Sequence, residues 1–427
     1  MGEGQAIEVE HVDRDDRVGS LHGIGGLLRN QAHERARRER ARHRAAVHLH
    51  ATVPTSPPAC AHRRSPHPSC TSRSVGPRSV PDSPSGAFPH THALRCAVRP
   101  PPIDPFVGHL GIRPIVLTVA NRLCDALGIE IPIIQAPMGY IARAQLAAAV
   151  SNAGGMGIIE TGSGEFDDIR DEFARMADLT DKPWGANVPQ LLVRDPAVVD
   201  FVASAGVRFV TTSAGNPEVL VPLFKRAGIT VFHVVPTLRG ALKAVAAGAD
   251  GLIVEGVEGG GFKNPDGAST MVLVPLVAQH VGVPIVAAGG ICDGVSMAAA
   301  LALGADGAQM GTRMLTAAES PVHDNWKRAV VDAAETDTVV LNRFTRPAMR
   351  ALRTEYTAPL EREEGGGMAG RDRILDLYFG GDMNAAVPMS GQVAGRIDEV
   401  LPVADILRDT WDGCRARLAE LAARMAD

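Results

Sequence analysis

The sequence predicts an α/β fold, a parallel (β/α)8 barrel of the TIM type, on three observations. Eight short apolar or β-branched runs recur after Leu117. Ala/Leu-rich stretches of helical length separate them. Glycine follows helix after helix, at Gly206, Gly228, Gly248, Gly282 and Gly304. Strands that read as unbroken apolar runs belong to a parallel sheet covered by helices. Glycine suits the residue after a helix because that position often turns left-handed. Eight βα units in about 200 residues match a closed barrel. An open, doubly wound sheet should carry a Gly-x-Gly-x-x-Gly turn after its first strand. Here that turn is Ala136-Pro137-Met138-Gly139.

The elements follow in chain order. Strands are expected at Ile131–Gln135, Met156–Glu160, Trp184–Val188, Phe209–Thr212, Thr230–Val234, Leu252–Glu255, Pro284–Ala288 and Ala308–Met310. Helices are expected at Gln145–Ala153, Asp167–Asp178, Pro196–Ala205, Pro217–Ala227, Leu238–Ala247, Met271–His280 and Val295–Leu303. The barrel is thus assigned to 116–315 and 383–427, ending in a helix over about Val403–Met425. Between these parts, 316–382 reads as a small, charged helical insert with a flexible break at Glu363–Gly370. An insert after strand eight opens on the catalytic face, so it is expected to act as a lid.

Residues 1–115 are a different kind of sequence. They hold 11 of the 14 His and 16 Arg against 10 Asp or Glu, with no Lys, so they sit near +6 while the remainder sits near −11. Thirteen of the 30 Pro fall between 54 and 105. Such a segment has too little apolar surface to offset its chain entropy and is expected to be a disordered extension. An Arg-rich transit peptide is the other reading, but six acids in the first 16 residues oppose it.

Composition narrows the function. No apolar run reaches the ~18 residues of a membrane span. The net charge of −5 gives no reason to expect nucleic acid. Six scattered Cys show neither CxxC nor Cys/His spacing, so no metal site or disulfide framework is expected. A reduced, cytoplasmic compartment fits. Small-molecule chemistry remains, with a homodimer left open.

The candidate chemistry lies in the loops after the strands. Ala287-Ala288-Gly289-Gly290-Ile291 and Gln309-Met310-Gly311-Thr312-Arg313 follow strands seven and eight. Barrels often bind phosphate there, through backbone N–H groups. After strand six comes Glu255-Gly256-Val257-Glu258-Gly259-Gly260-Gly261-Phe262-Lys263. Three consecutive glycines cost backbone entropy unless something packs against them, as a flat ring would. Asn187 offers an amide to a heteroaromatic ring edge, or caps a turn.

Taken in order, these motifs resemble a family. With Pro132–Gly139, Ser151–Gly157, Gly185–Asn187 and Met389–Gln392, they resemble the FMN-dependent nitronate monooxygenases, formerly 2-nitropropane dioxygenases. They are also similar to the related enoyl-acyl-carrier-protein reductases II, to which Glu255 and the run Glu319–Lys327 bring the chain somewhat closer. The resemblance covers roughly 118–427. It implies FMN at the barrel mouth. Gly289, Gly290, Gln309, Met310, Gly311 and Thr312 would hold the phosphate end, and Ala136, Pro137, Met138, Asn187, Glu255, Gly260 and Gln392 would surround the ring system and ribityl chain.

One position departs from both branches, which place a His after the glycines of the strand-six loop. Here it is Phe262, which does no acid–base work. Three residues are candidates to replace it. Lys263 is either a proton donor or an exposed loop lysine. His233 either faces the site or belongs to the core. His323 either reaches the site or caps a helix. The resemblance implies an FMN oxidoreductase that oxidises alkyl nitronates with O2. The alternatives are an NAD(P)H-dependent reductase of an enoyl or related thioester, and a flavin-binding relative without catalysis.

Overall fold

The computed structural model describes residues 121–363, 365–366 and 370–426. The extension assigned to 1–115 and part of the 363–370 break lie outside the described residues.

Strands run β1 (Ile133–Gln135), β2 (Gly157–Glu160), β3 (Trp184–Pro189), β4 (Phe209–Ser213), β5 (Thr230–Val235), β6 (Gly251–Glu255), β7 (Gly261–Lys263), β8 (Ile285–Ala288), β9 (Gly307–Met310), β10 (Thr338–Leu341) and β11 (Ala348–Leu352). Helices run α1 (Arg122–Leu127), α2 (Ala144–Asn152), α3 (Phe166–Leu179), α4 (Ala197–Ser204), α5 (Pro217–Arg226), α6 (Leu238–Ala246), α7 (Thr270–Ala278), α8 (Gly294–Ala302), α9 (Thr312–Leu315), α10 (Asp324–Val331), α11 (Thr357–Leu360), α12 (Ile374–Tyr378) and α13 (Val403–Ala426).

Eight parallel strands form one sheet in the order β1-β9-β8-β6-β5-β4-β3-β2. A bridge from Ile134 to Met156 joins its two edges, so the sheet is a barrel. All eight expected strands are present, within two residues at each end. The barrel interior is filled by Ile134, Ile158, Phe209, Phe232, Ile253 and Val286, and α1 closes its lower end with Leu123 and Leu127. Phe209 and Phe232 meet edge to face with ring centroids 5.3 Å apart. A second cluster packs the other strand face against the helices. Of the five glycines expected at helix ends, Gly206, Gly228, Gly248 and Gly304 have positive φ and Gly282 does not.

α13 stands where an eighth barrel helix belongs, against α8 and α2. The approach to α8 is backbone-close: a Cβ on Gly294 would lie 2.5 Å from Gly413 C. The insert differs from the helical reading. It holds α10, α11 and α12, but also β10 and β11, which pair antiparallel with each other, and β11 pairs antiparallel with β7. β7 comes from the strand-six loop, about 85 residues earlier in the chain than β11. Thr338-Val339-Val340-Leu341 satisfies strand propensity, yet its partners are too distant in sequence for local pattern to reveal them.

Candidate active site

Alternation along the strands decides which side chains reach the mouth of the barrel. Phe209, Phe232, Ile253 and Val286 point inward, and the residues two further on form the next layer up. That layer, at the C-terminal ends of the strands, contains Glu160, Asn187, Glu255, Ala288 and Gln309, which line a cavity of about 1270 Å3.

The glycine loops form one wall. Gly289 and Gly290 have φ of 89° and 80° and line the cavity beside Gly311 and Thr312. A Cβ on Gly289 would sit 3.0 Å from Gly256 O and Gly259 N, and one on Gly260 would sit 2.8 Å from Gly391 N. Several of these glycines therefore serve loop-on-loop packing, a reason separate from ligand approach. Glu258 ties the wall together. Its carboxylate oxygens accept from Thr270 N–H, both at 3.0 Å, and its backbone carbonyl accepts from Gln392 N–H at 2.9 Å. Thr312 Oγ1 accepts from Gly391 N–H at 2.9 Å.

Asn187 is 2% exposed and donates from Nδ2 to Thr211 Oγ1 at 2.9 Å. Gln309 is also buried, and its Nε2 has no hydrogen-bond partner among the described residues. An orphaned buried amide costs about 1–3 kcal/mol and marks a place for an acceptor from outside the protein. Bare backbone on one wall and an unsatisfied donor in the floor suit a flat ligand with a phosphate end.

Lys263 and Glu255 face each other inside this cavity. Lys263 Nζ lies 2.5 Å from Glu255 Oε1 and 3.0 Å from Phe262 O. The Lys263 side chain is only 7% exposed. It is not the exposed loop lysine that the sequence left open, because β7 pairs with β11 and fixes its direction. Phe262 lines the cavity beside it.

Of the other two catalytic candidates, His233 lines the cavity and His323 does not. His233 follows Phe232, which points into the barrel, so its imidazole lies on the helix-facing side of β5. There Nδ1 is 2.7 Å from Thr212 Oγ1, and burial pushes the imidazole down to about 4. His233 also lines the cavity. His323 caps α10: its Nδ1 accepts from Asn325 N–H at 3.1 Å, and it does not line the cavity.

Two cofactor candidates also move. Met310 is fully buried toward the helices and takes part through its carbonyl, which accepts from Ala136 N–H at 2.9 Å. Gln392 is exposed, and Gly391 lines the cavity in its place. Ala136, Pro137 and Met138 do line it.

Sequence reasoning missed Glu160. It is 4% exposed at the top of β2, held by Arg143 Nη2 at 3.2 Å, by the N–H groups of Tyr140 and Gly162 at 3.1 and 2.9 Å, and by Ser163 Oγ. Burial pushes its carboxyl upward, against the pull of Arg143 and these hydrogen bonds. A carboxylate ending an otherwise apolar strand was the available signal. Tyr140, Trp326 and Tyr378 were missed too; with Leu191 and Ile374 they make an apolar flank under the insert.

Known proteins are similar to this chain over the described barrel. A family model described as nitronate monooxygenase matches residues 120–412. The (3aS,4S,5R,7aS)-5-hydroxy-7a-methyl-1-oxo-octahydro-1H-indene-4-carboxyl-CoA dehydrogenase of Mycobacterium tuberculosis is 37% identical over 248 residues, 57% of this chain and 69% of that protein. The nitronate monooxygenase of Paraburkholderia phytofirmans is 31% identical over 287 residues, 56% of this chain and 78% of that protein. Among solved structures, FabK from Thermotoga maritima aligns with a TM-score of 0.68 at 37% identity, covering 72% of this chain and all of that one. A match of this extent, over the same barrel and loops that build the cavity, means that the chain belongs to the nitronate monooxygenase family and is an oxidoreductase.

Proposed function

We propose that this protein binds FMN and uses it to exchange a hydride between a nicotinamide and an acyl thioester. The observation that carries this reading is the Lys263–Glu255 pair in the cavity beside Phe262, with the Lys263 side chain buried. Oxidising a preformed nitronate needs no proton transfer. Reducing an enoyl group or oxidising a hydroxyl does, and Lys263 is the proton carrier within reach. Two relatives at 37% identity support it: the dehydrogenase whose name specifies a carboxyl-CoA substrate, and FabK.

Gln309, Gly289, Gly290, Gly311 and Thr312 would hold the phosphate and ribityl end, and Asn187, Ala136, Pro137 and Met138 would frame the ring. FMN would supply the hydride acceptor and donor. Lys263 holds a proton at Nζ for the substrate atom that gains or loses charge, and Glu255 fixes the direction of that ammonium. Tyr140, Trp326, Tyr378 and Ile374 exclude water from the acyl side.

Anaerobic mixing tests this. Flavin-loaded protein should bleach with NADH or NADPH and recover its colour with one of a panel of enoyl-CoA thioesters. Bleaching by propyl-2-nitronate alone would return the nitronate oxidation that the sequence favours, which Phe262 at the family's His position supports. Failure of every reductant with bound flavin would leave a binding protein without catalysis.

A further inference from the structure

The mouth of the cavity carries charge that the reading above does not use. Nine charged residues line it, and its acids are mostly committed. Glu160 is bound to Arg143, Glu255 to Lys263, and Glu258 to the start of α7. What remains toward the outside is Arg194, Arg239, Lys243 and Arg371, opposed by Asp372. Arg239 and Arg371 have no ion-pair partner among the described residues. Among the described residues Arg194 pairs with Glu165, at 3.6 Å, and Lys243 with Glu218, at 3.2 Å. These acids are 82% and 60% exposed, so water competes for both pairs and an entering anion exchanges with them at little cost.

The topology places three of these cations after β3 and β5, which are separated in the sheet by β4 alone. Arg194 follows β3, and Arg239 and Lys243 are four residues apart on α6, after β5. They share one sector of the mouth, around β3, β4 and β5. The glycine loops expected to take the flavin phosphate follow β8 and β9, about half a turn away around the ring. One cavity therefore has two anion-accepting ends, and a single FMN phosphate accounts for one.

We propose that Arg194, Arg239 and Lys243 form a second anion site that binds the phosphates of a nucleotide-bearing reactant, either the coenzyme A portion of a thioester or NAD(P)H. The inference rests on the proposed function, since it assigns the tail of one of the two reactants named there. An unpaired guanidinium at Arg239, beside two cations held only by exposed acids, matches phosphate oxygens in charge, and the two arginines add fork geometry. The reacting end would then extend across the apolar flank toward Lys263.

Titration calorimetry on the full, flavin-loaded chain tests it with CoA, dephospho-CoA, pantetheine, NAD+ and NADP+ as probes. At least one nucleotide should bind more tightly than pantetheine. R239Q/K243Q should weaken that nucleotide by about tenfold or more while leaving pantetheine unchanged. Raising the salt should weaken the wild type far more than the variant. Selective loss of CoA assigns the site to the thioester, and selective loss of NAD+ or NADP+ assigns it to the nicotinamide. Equal affinity of all probes, or unaltered nucleotide binding in R239Q/K243Q and in R194Q, overturns the proposal. Flavin colour and anaerobic bleaching of the same samples report on the proposed function separately, because the titration requires no turnover.

Discussion

Replacing Lys263 separates a structural tie from a proton carrier. In K263M the ammonium 2.5 Å from Glu255 Oε1 disappears and the carboxylate keeps its place. Breaking a fully buried pair in this way costs about 3–5 kcal/mol. Glu255 is 28% exposed and faces the cavity, so water re-solvates part of it and the expected loss falls to about 1–3 kcal/mol. That corresponds to a drop of several degrees in melting temperature. Turnover should fall further, by about 10²–10⁴, the range supplied by a positioned acid or base. K263R divides the two effects. Arginine restores the charge opposite Glu255 and hence most of the stability, but it does not give up a proton near neutral pH. The assay is NAD(P)H oxidation with enoyl-CoA thioesters under saturating FMN, with melting followed by flavin fluorescence. If K263M melts lower yet turns over at the wild-type rate, Lys263 only anchors β7 to β6. If K263R is fully active, its charge matters and its proton does not.

Other expectations follow from the same geometry. Gly311→Ala should leave stability within about 1 kcal/mol, because φ is −103° and the new Cβ would lie 3.5 Å from Ala136 Cβ. The methyl would narrow the cavity, so bound flavin per chain should fall; undiminished flavin content would move the phosphate end elsewhere. Gly290→Val should lose flavin as well, but its φ of 80° adds about 1–3 kcal/mol of backbone strain, which circular dichroism melting will detect. His233 is held neutral, with its folded value near 4 below the ordinary 6.5, so the stability it contributes is complete above about pH 6.5 and is lost as pH falls toward 4. The full effect is about 3 kcal/mol at most, and His233→Gln should flatten the acid limb of a urea stability profile; an unchanged limb would mean the imidazole titrates alike in both states. Phe262→His should raise O2 consumption on neutral 2-nitropropane more than on propyl-2-nitronate, since only the neutral compound needs a base. Equal gains on both would dismiss that role for the position.

Much of this protein is written locally. Strand positions follow from apolar runs such as Val286-Ala287-Ala288 and helix ends from glycines such as Gly206, because burial on both faces and a left-handed backbone are demands on neighbouring residues. The glycine loops after β8 and β9 are legible for the same reason. Tertiary structure decided the rest. His233 sits on the helix-facing side of β5 because Phe232 occupies the inward register, and a two-residue period has no phase until the interior is known. Lys263 is buried because β7 pairs with β11, a contact across about 85 residues that leaves no local periodicity. Glu160 became part of the cavity through four groups converging from the loops after β1 and β2. The sequence determines the barrel and the family. The direction of each polar side chain at its mouth depends on long-range packing.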